Sequence, residues 1–202
     1  NPARHSRIFY KEALTLLQTG AELTIIGADT APAPYHFHGI KIIPLPVTGR
    51  GLCARLRLQW RLFRLASKER AAVYHLHTPE LLPLAWLLKR RTRAAIVYDV
   101  HEDYARNLRY RPGWPPGVRK LLGAAVRRLE RAACTWLALV VYAETCFAAD
   151  IALPARHAIT VTNACALPPP DGESLPPIPD DMPVMLYSGA IAEIWGVFEA
   201  LE

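Results

Sequence analysis

The sequence predicts an α/β fold built on a doubly wound parallel sheet. Short apolar runs alternate with helix-period segments about six times along the chain. The runs are continuously apolar rather than alternating, as expected of parallel strands covered on both faces. Of the 202 residues, 51% are hydrophobic and 21% charged, enough to build a sizeable core and to exclude wholesale disorder.

The elements follow in order. Residues 6–19 place Ile8, Phe9, Ala13, Leu16 and Leu17 at helical spacing, and Gly20 closes the helix. A β-branched run over 22–27 reads as a strand ending in Gly27, and Pro32 and Pro34 mark a loop that also holds His36 and His38. Residues 40–45 form the next strand. A long basic helix is expected over 51–70, a strand over 72–76, a helix over 80–90 and a strand over 94–100. After the turn-forming RPGWPPG come a helix over 117–134, a strand over 137–142, a short helix near 145–152 and a strand over 158–162.

Residues 1–165 therefore read as one domain. Residues 166–183 hold seven of the 18 prolines and four acidic residues, the composition of a stiff exposed linker. A strand and helix restart over 184–202, as the opening of a second domain that is then cut off. The chain starts with Asn rather than Met, so a processed or cut piece is expected.

The formal charge of +6 is uneven. Residues 50–131 carry 19 of the 24 Lys and Arg against 6 Asp and Glu, a local charge of +13, while the remainder sums to −7. Arg outnumbers Lys 19 to 5, which favours bidentate contact with phosphate. On the basic helix Arg50, Arg57, Arg61, Arg64 and Lys68 fall within roughly a 60° stripe. Leu52, Leu56, Trp60, Leu62, Phe63, Leu65 and Ala66 are assigned to the opposite, apolar side. The stripe is a solvated face or a contact with an anionic membrane surface. Nucleic acid is not expected as a partner, because charge is the sole feature in its favour and no reader motif accompanies it.

Other classes are excluded. The longest apolar run, 132–143, is shorter than the roughly 20 residues of a membrane span, and the N-terminus has no signal-peptide pattern. Cys53, Cys134, Cys146 and Cys165 fit neither a zinc ribbon nor a disulfide framework, and read as reduced, mostly buried thiols of a cytoplasmic protein. Neither G-x-G-x-x-G, a Walker A sequence nor G-x-S-x-G occurs.

Chemistry-bearing residues gather at two strand ends, His75-Leu-His77-Thr-Pro-Glu80 and Asp99-Val-His101-Glu102-Asp103. In an open parallel sheet ligands collect at the carboxyl ends of strands. Alternation puts His75 with His77 and Asp99 with His101 on common faces. These residues are hydrogen-bonded strand ends, a substrate site or, less favoured, a metal-dependent centre.

Several segments together resemble the retaining glycosyltransferases of family 4, which have the two-domain GT-B fold. RIFYKEALTLLQTGAELTIIG is similar to that family's opening helix and G-x-x-V-T strand, VYHLHTPELLPLA to its D-V-x-H-x-H segment, and IVYDVHED to the strand ending in its active-site His. ITVTNA resembles its V-x-N-G element before the interdomain linker, and YSGAIAEIWGVFEALE the glycine-rich start of its donor-binding domain. The resemblance implies a Rossmann-like acceptor-side domain whose first strand would precede Asn1. It implies sugar transfer from a nucleotide-sugar to a glycan or lipid-linked acceptor with retention, the leaving phosphate helping to deprotonate the acceptor. No resident cofactor and no metal are implied.

By the same resemblance His101 is the catalytic candidate. Arg7, His77, Glu80, Glu102, Asp103 and Asn163 are the substrate-side candidates, and Gly189 and Glu193 the donor-side ones. The family's diphosphate-gripping Arg and Lys are replaced here by Ala190 and Trp195, and Ala164 stands where Gly is usual. The expectation is a chain inactive by itself, with a non-catalytic sugar-binding or scaffolding module as the alternative. A cytoplasmic location, peripheral on the inner membrane face, is also expected.

Overall fold

A computed structural model describes residues 2–46, 49 and 51–163. All of them lie within a compact unit, Asn1–Ala164. The expected linker over 166–183, the elements over 184–202, and Gly189, Glu193, Arg50 and Cys165 fall outside the described residues.

The fold is α/β, and its strands form two sheets. In the first, β1 (Thr24–Gly27) runs parallel to β3 (Ile40–Pro44), and β2 (Tyr35–Phe37) lies antiparallel on the other side of β3. The Pro-rich segment expected as a loop thus contributes a strand. Its hairpin turn is His38-Gly39, both at positive φ, the geometry a two-residue β-turn requires. Tyr35 and Phe37 then face Ile42 and Ile40 in register.

The second sheet is fully parallel in the order β4 (Val73–Leu76), β5 (Ala95–Val100), β6 (Leu139–Tyr142), β7 (Ala158–Thr160). Helices form the connections: α2 (Leu52–Glu69), α3 (Leu82–Thr92) after a 3₁₀ turn over Pro79–Leu81, α5 (Pro116–Ala133) and α6 (Thr145–Ile151). One helix was not expected, α4 (Tyr104–Tyr110), whose first turn is capped by the Asp103 carboxylate accepting from the Arg106 N–H at 2.9 Å.

The first helical segment is wound in two ways. Ser6–Ala13 is π-helical and passes into α1 (Leu14–Leu17). This segment ties the two sheets together. At its start Ala3 N–H donates to Ala28 O at 2.9 Å beside β1, and further along Arg7 reaches Asp99 on β5 and the Val161 carbonyl beyond β7.

Each sheet has its own apolar core. Phe9, Ala13, Ile40 and Ile42 fill the first. Leu76, Leu82, Ile96, Tyr98, Val100, Val140 and Tyr142 fill the second, closed by Ile151 and Leu153. Of the described cysteines only Cys134 is buried; Cys53 and Cys146 are exposed, contrary to the expectation that most lie in the core. The apolar side assigned to α2 is also corrected. Leu56 and Trp60 are more than half exposed, while Ala66 is buried and Leu62, Phe63 and Leu65 are half-buried as assigned.

Gly27 sets the distance between the N-terminal segment and β1. A Cβ there would meet Ala3 Cα at 2.8 Å, so only glycine permits this approach. Gly27→Ala is expected to cost about 1–3 kcal/mol of stability in urea unfolding, as overpacking between backbones does.

Candidate functional site

The site forms where β4 and β5 end. In register His75 pairs with Val97 and Leu76 with Tyr98, so His75, His77, Asp99 and His101 leave the sheet at one edge and on one side. Asp99 is fully buried, and its Oδ2 is the point on which the others converge. His101 Nε2 lies 2.6 Å from it, His77 Nδ1 3.4 Å, Arg7 Nε 3.4 Å and His75 Nε2 3.9 Å. His77 Nδ1 and His101 Nε2 are 3.0 Å apart. The His75 and His77 rings lie 4.6 Å apart, and His5 approaches His101 at 6.2 Å.

Arg7 is 3% exposed, and its Nη1 donates to Val161 O at 3.0 Å. Its Nε also lies 2.7 Å from Glu12 Oε1. Glu12 was not expected in the site, and the winding explains why. On an α-helix residues 7 and 12 point about 140° apart. The i→i+5 pattern of the π-helical segment brings them onto one side.

The electrostatics follow from burial and from this crowding. Burial opposes ionisation of Asp99, but hydrogen bonds from His101 and His77, together with the nearby positive charge, hold it well below the ordinary carboxylate range. Glu12 moves the other way. Burial and the neighbouring Asp99 charge, with a hydrogen bond shared between the two carboxyls, push it up to about 8. Burial lowers His75 to about 4, aided by His77, and burial lowers His77 against the pull of Asp99. Because ionised Asp99 only accepts, the short contact makes His101 Nε2–H the donor. His101 Nδ1 is then the ring nitrogen not engaged with Asp99.

The other expected residues divide by place. Asn163 is at the rim, where its Oδ1 accepts from Lys11 Nζ at 2.8 Å, about one helical turn from Arg7. Glu102 is exposed and accepts from Asn107 Nδ2 at 2.9 Å. Asp103 caps α4 and pairs with Arg127 Nη2 at 2.5 Å, so its carboxylate is engaged in holding α4 against α5. Arg127 also meets Glu130, which accepts from the Tyr98 hydroxyl at 2.8 Å, linking the cap to the sheet core. Glu80 is exposed in the 3₁₀ turn, and its carbonyl accepts from Gln59 of α2 at 3.4 Å. Tyr104 donates to the His77 carbonyl at 3.1 Å and braces that strand end.

Glu12, His75, His77 and Asp99 each offer a donor atom, all within 4.8 Å of one another, a spacing open to a divalent cation. The Arg7 guanidinium already compensates both carboxylates, however, and a cation would have to compete with it.

The α/β domain with its parallel four-stranded sheet resembles the Rossmann-like half of a GT-B architecture. The sequence matches the glycosyl transferase 4-like domain over residues 7–164, and the chain belongs to that family. No curated protein matches it in sequence. Among solved structures it is similar in fold to sucrose-phosphate synthase from Thermosynechococcus elongatus, with a TM-score of 0.58 and 12% identity, over 78% of this chain. The chain spans 42% of the length of that protein.

The shifted groups set the pH dependence of stability. Between about pH 4 and 6.5 the unfolded chain binds more protons at His75 than the folded one, and lowered His77 acts in the same direction, so this pair makes stability rise with pH. Glu12 acts oppositely between its ordinary 4.5 and about 8, where the folded chain keeps a proton the unfolded chain releases. Below 6.5 the imidazoles and Glu12 oppose one another, and above it Glu12 acts alone. Urea unfolding is expected to show a fall in stability of about 1–2 kcal/mol between pH 6.5 and pH 8. Glu12→Gln is expected to remove that fall.

Proposed function

We propose that this chain is the acceptor-side domain of a retaining, nucleotide-sugar-dependent glycosyltransferase. The observation that carries this reading is the Asp99-anchored His101, oriented at the open edge of the sheet in a chain of the glycosyl transferase 4-like family. His101 meets the donor sugar with a fixed tautomer, while Asp99, too buried to touch substrate, positions it. Arg7, paired with Asp99, supplies fixed positive charge behind a centre where phosphate leaves. The leaving phosphate takes the acceptor proton, so no protein nucleophile is required. His77, Glu80, Glu102 and Asn163 shape the acceptor side.

The acceptor is a glycan or lipid-linked sugar, presented at the cytoplasmic face of a membrane. Arg57, Arg61, Arg64 and Lys68 of α2 support this. With Trp60 and Leu65 they line a shallow groove of about 430 Å³ that suits anionic headgroups. Among the described residues no helix is long and apolar enough to cross a membrane.

A metal-dependent reading is favoured by the 4.8 Å spacing of Glu12, His75, His77 and Asp99. Stoichiometric metal in protein purified without added ions would select it.

The test is made on the whole enzyme, with this domain joined to a complete donor-binding half. His101→Ala is expected to lower sugar transfer about 10²–10³-fold in protein that thermal melting shows to be folded at the assay temperature. The product anomer, read by NMR, is expected to keep the donor's configuration. Donor binding weaker than about 1 mM for both uridine and guanosine diphosphate sugars, the range of ordinary substrate affinities, would favour the non-catalytic module.

A further inference from the structure

We infer that the α4–α5 hairpin is a docking surface for an anionic phospholipid bilayer, with Trp114 and Leu121 entering its interfacial zone and Arg109 and Arg111 meeting lipid phosphates. This surface shares no residue with the α2 stripe. Between Asp103 and Glu130 the sequence has no acidic residue and seven Lys and Arg. Arg127 is turned inward to Asp103 and Glu130. Among the described residues no carboxylate pairs with Arg106, Arg109, Arg111, Lys120 or Arg128.

Apolar side chains stand among these cations. Every residue from Arg109 to Val118 is exposed, Tyr110 by 72%, and Leu121 on the next turn by 70%. Val118 and Leu121 are three apart on α5 and share its outer face. The Arg111 guanidinium lies 5.2 Å from the centre of the Trp114 ring. Exposed Trp, Tyr and Leu interleaved with unpaired Arg is the composition of a membrane-interface element. The negative potential of an anionic leaflet complements the one-signed charge.

The hairpin is rigid, so the exposure belongs to a formed surface. Gly123 sits so close to α4 that a Cβ would meet the Ala105 carbonyl at 2.7 Å, and Arg119 donates to Arg111 O at 3.3 Å beneath the tip. Pro112, Pro115 and Pro116 fix the turn. Because α4 begins just past His101, and Tyr104 is bonded to His77 O, a bilayer seated on the hairpin lies beside the histidine centre. The inference deepens the reading of a membrane-presented acceptor. Its test reads binding alone, so its failure and the failure of glycosyl transfer are distinguishable.

The experiment is flotation of the 202-residue chain with phosphatidylglycerol/phosphatidylcholine vesicles and with pure phosphatidylcholine vesicles. Parent protein is compared with W114S/L121S, R109E/R111E and, on α2, R57E/R61E, each checked by thermal melting. Anionic vesicles are expected to bind the parent, neutral ones to bind it far less, and both hairpin variants to lose about tenfold or more. Brominated lipid chains are expected to quench fluorescence that W114F removes. Hairpin variants that bind like the parent, or a loss confined to R57E/R61E, would overturn the inference. So would a concentration-dependent dimer that W114S/L121S dissolves, or preferential binding of the hairpin to RNA over vesicles.

Discussion

The contact between Arg7 and Asp99 spans 92 residues of sequence and is almost wholly removed from water. It joins the N-terminal helical segment to the central strand of the parallel sheet, and both sides of the site depend on it. A carboxylate buried in this way is retained only with a partner, and leaving either charge alone costs on the order of 3–5 kcal/mol. The pair therefore holds the first helical segment in place as well as balancing charge. Where that segment sits determines where Glu12 and Lys11 lie relative to His77, His101 and Asn163.

The chemistry follows from how Asp99 is shared. One oxygen faces two imidazoles and a guanidinium, and a second carboxyl stands beside it. The network is neutral overall when Glu12 keeps its proton and His75 and His77 stay uncharged, which is the state burial selects. In that state His101 is oriented by a charge-assisted hydrogen bond, and its second nitrogen is left for a ligand. Orientation of this kind from a residue that never meets substrate is what a transfer site without a covalent nucleophile needs. Further out, Tyr98, Glu130, Arg127 and Asp103 carry the same rigidity from the core to the start of α4.

The parts of this arrangement legible in sequence are those with short-range signals. The parallel strands announced themselves as brief apolar runs, and the alternation of His75 with His77 and Asp99 with His101 placed four polar groups at one sheet edge. What the sequence concealed depended on contacts across the chain or on irregular backbone. Tyr35–Phe37 looked like a loop because prolines precede it, while the two-residue turn that makes it a strand shows only as His38-Gly39. Helices α2 and α3 end on Arg70 and Arg93 in the left-handed conformation, so no terminal glycine marks their limits. Glu12 carried no signal toward the site, since ordinary helical periodicity turns it away from Arg7. The exposed Trp60 and Leu56 misled because apolar residues on a basic helix are normally assigned to its core side.

The most direct test of the central network is the protonation pattern of its imidazoles, read by long-range ¹H–¹⁵N correlation spectra of the histidine rings across pH 5–8. The account predicts an Nε2–H on His101 engaged with Asp99, and His75 still neutral at pH 5. A His101 carrying its proton on Nδ1, or a His75 titrating near 6.5 like a free imidazole, would contradict it.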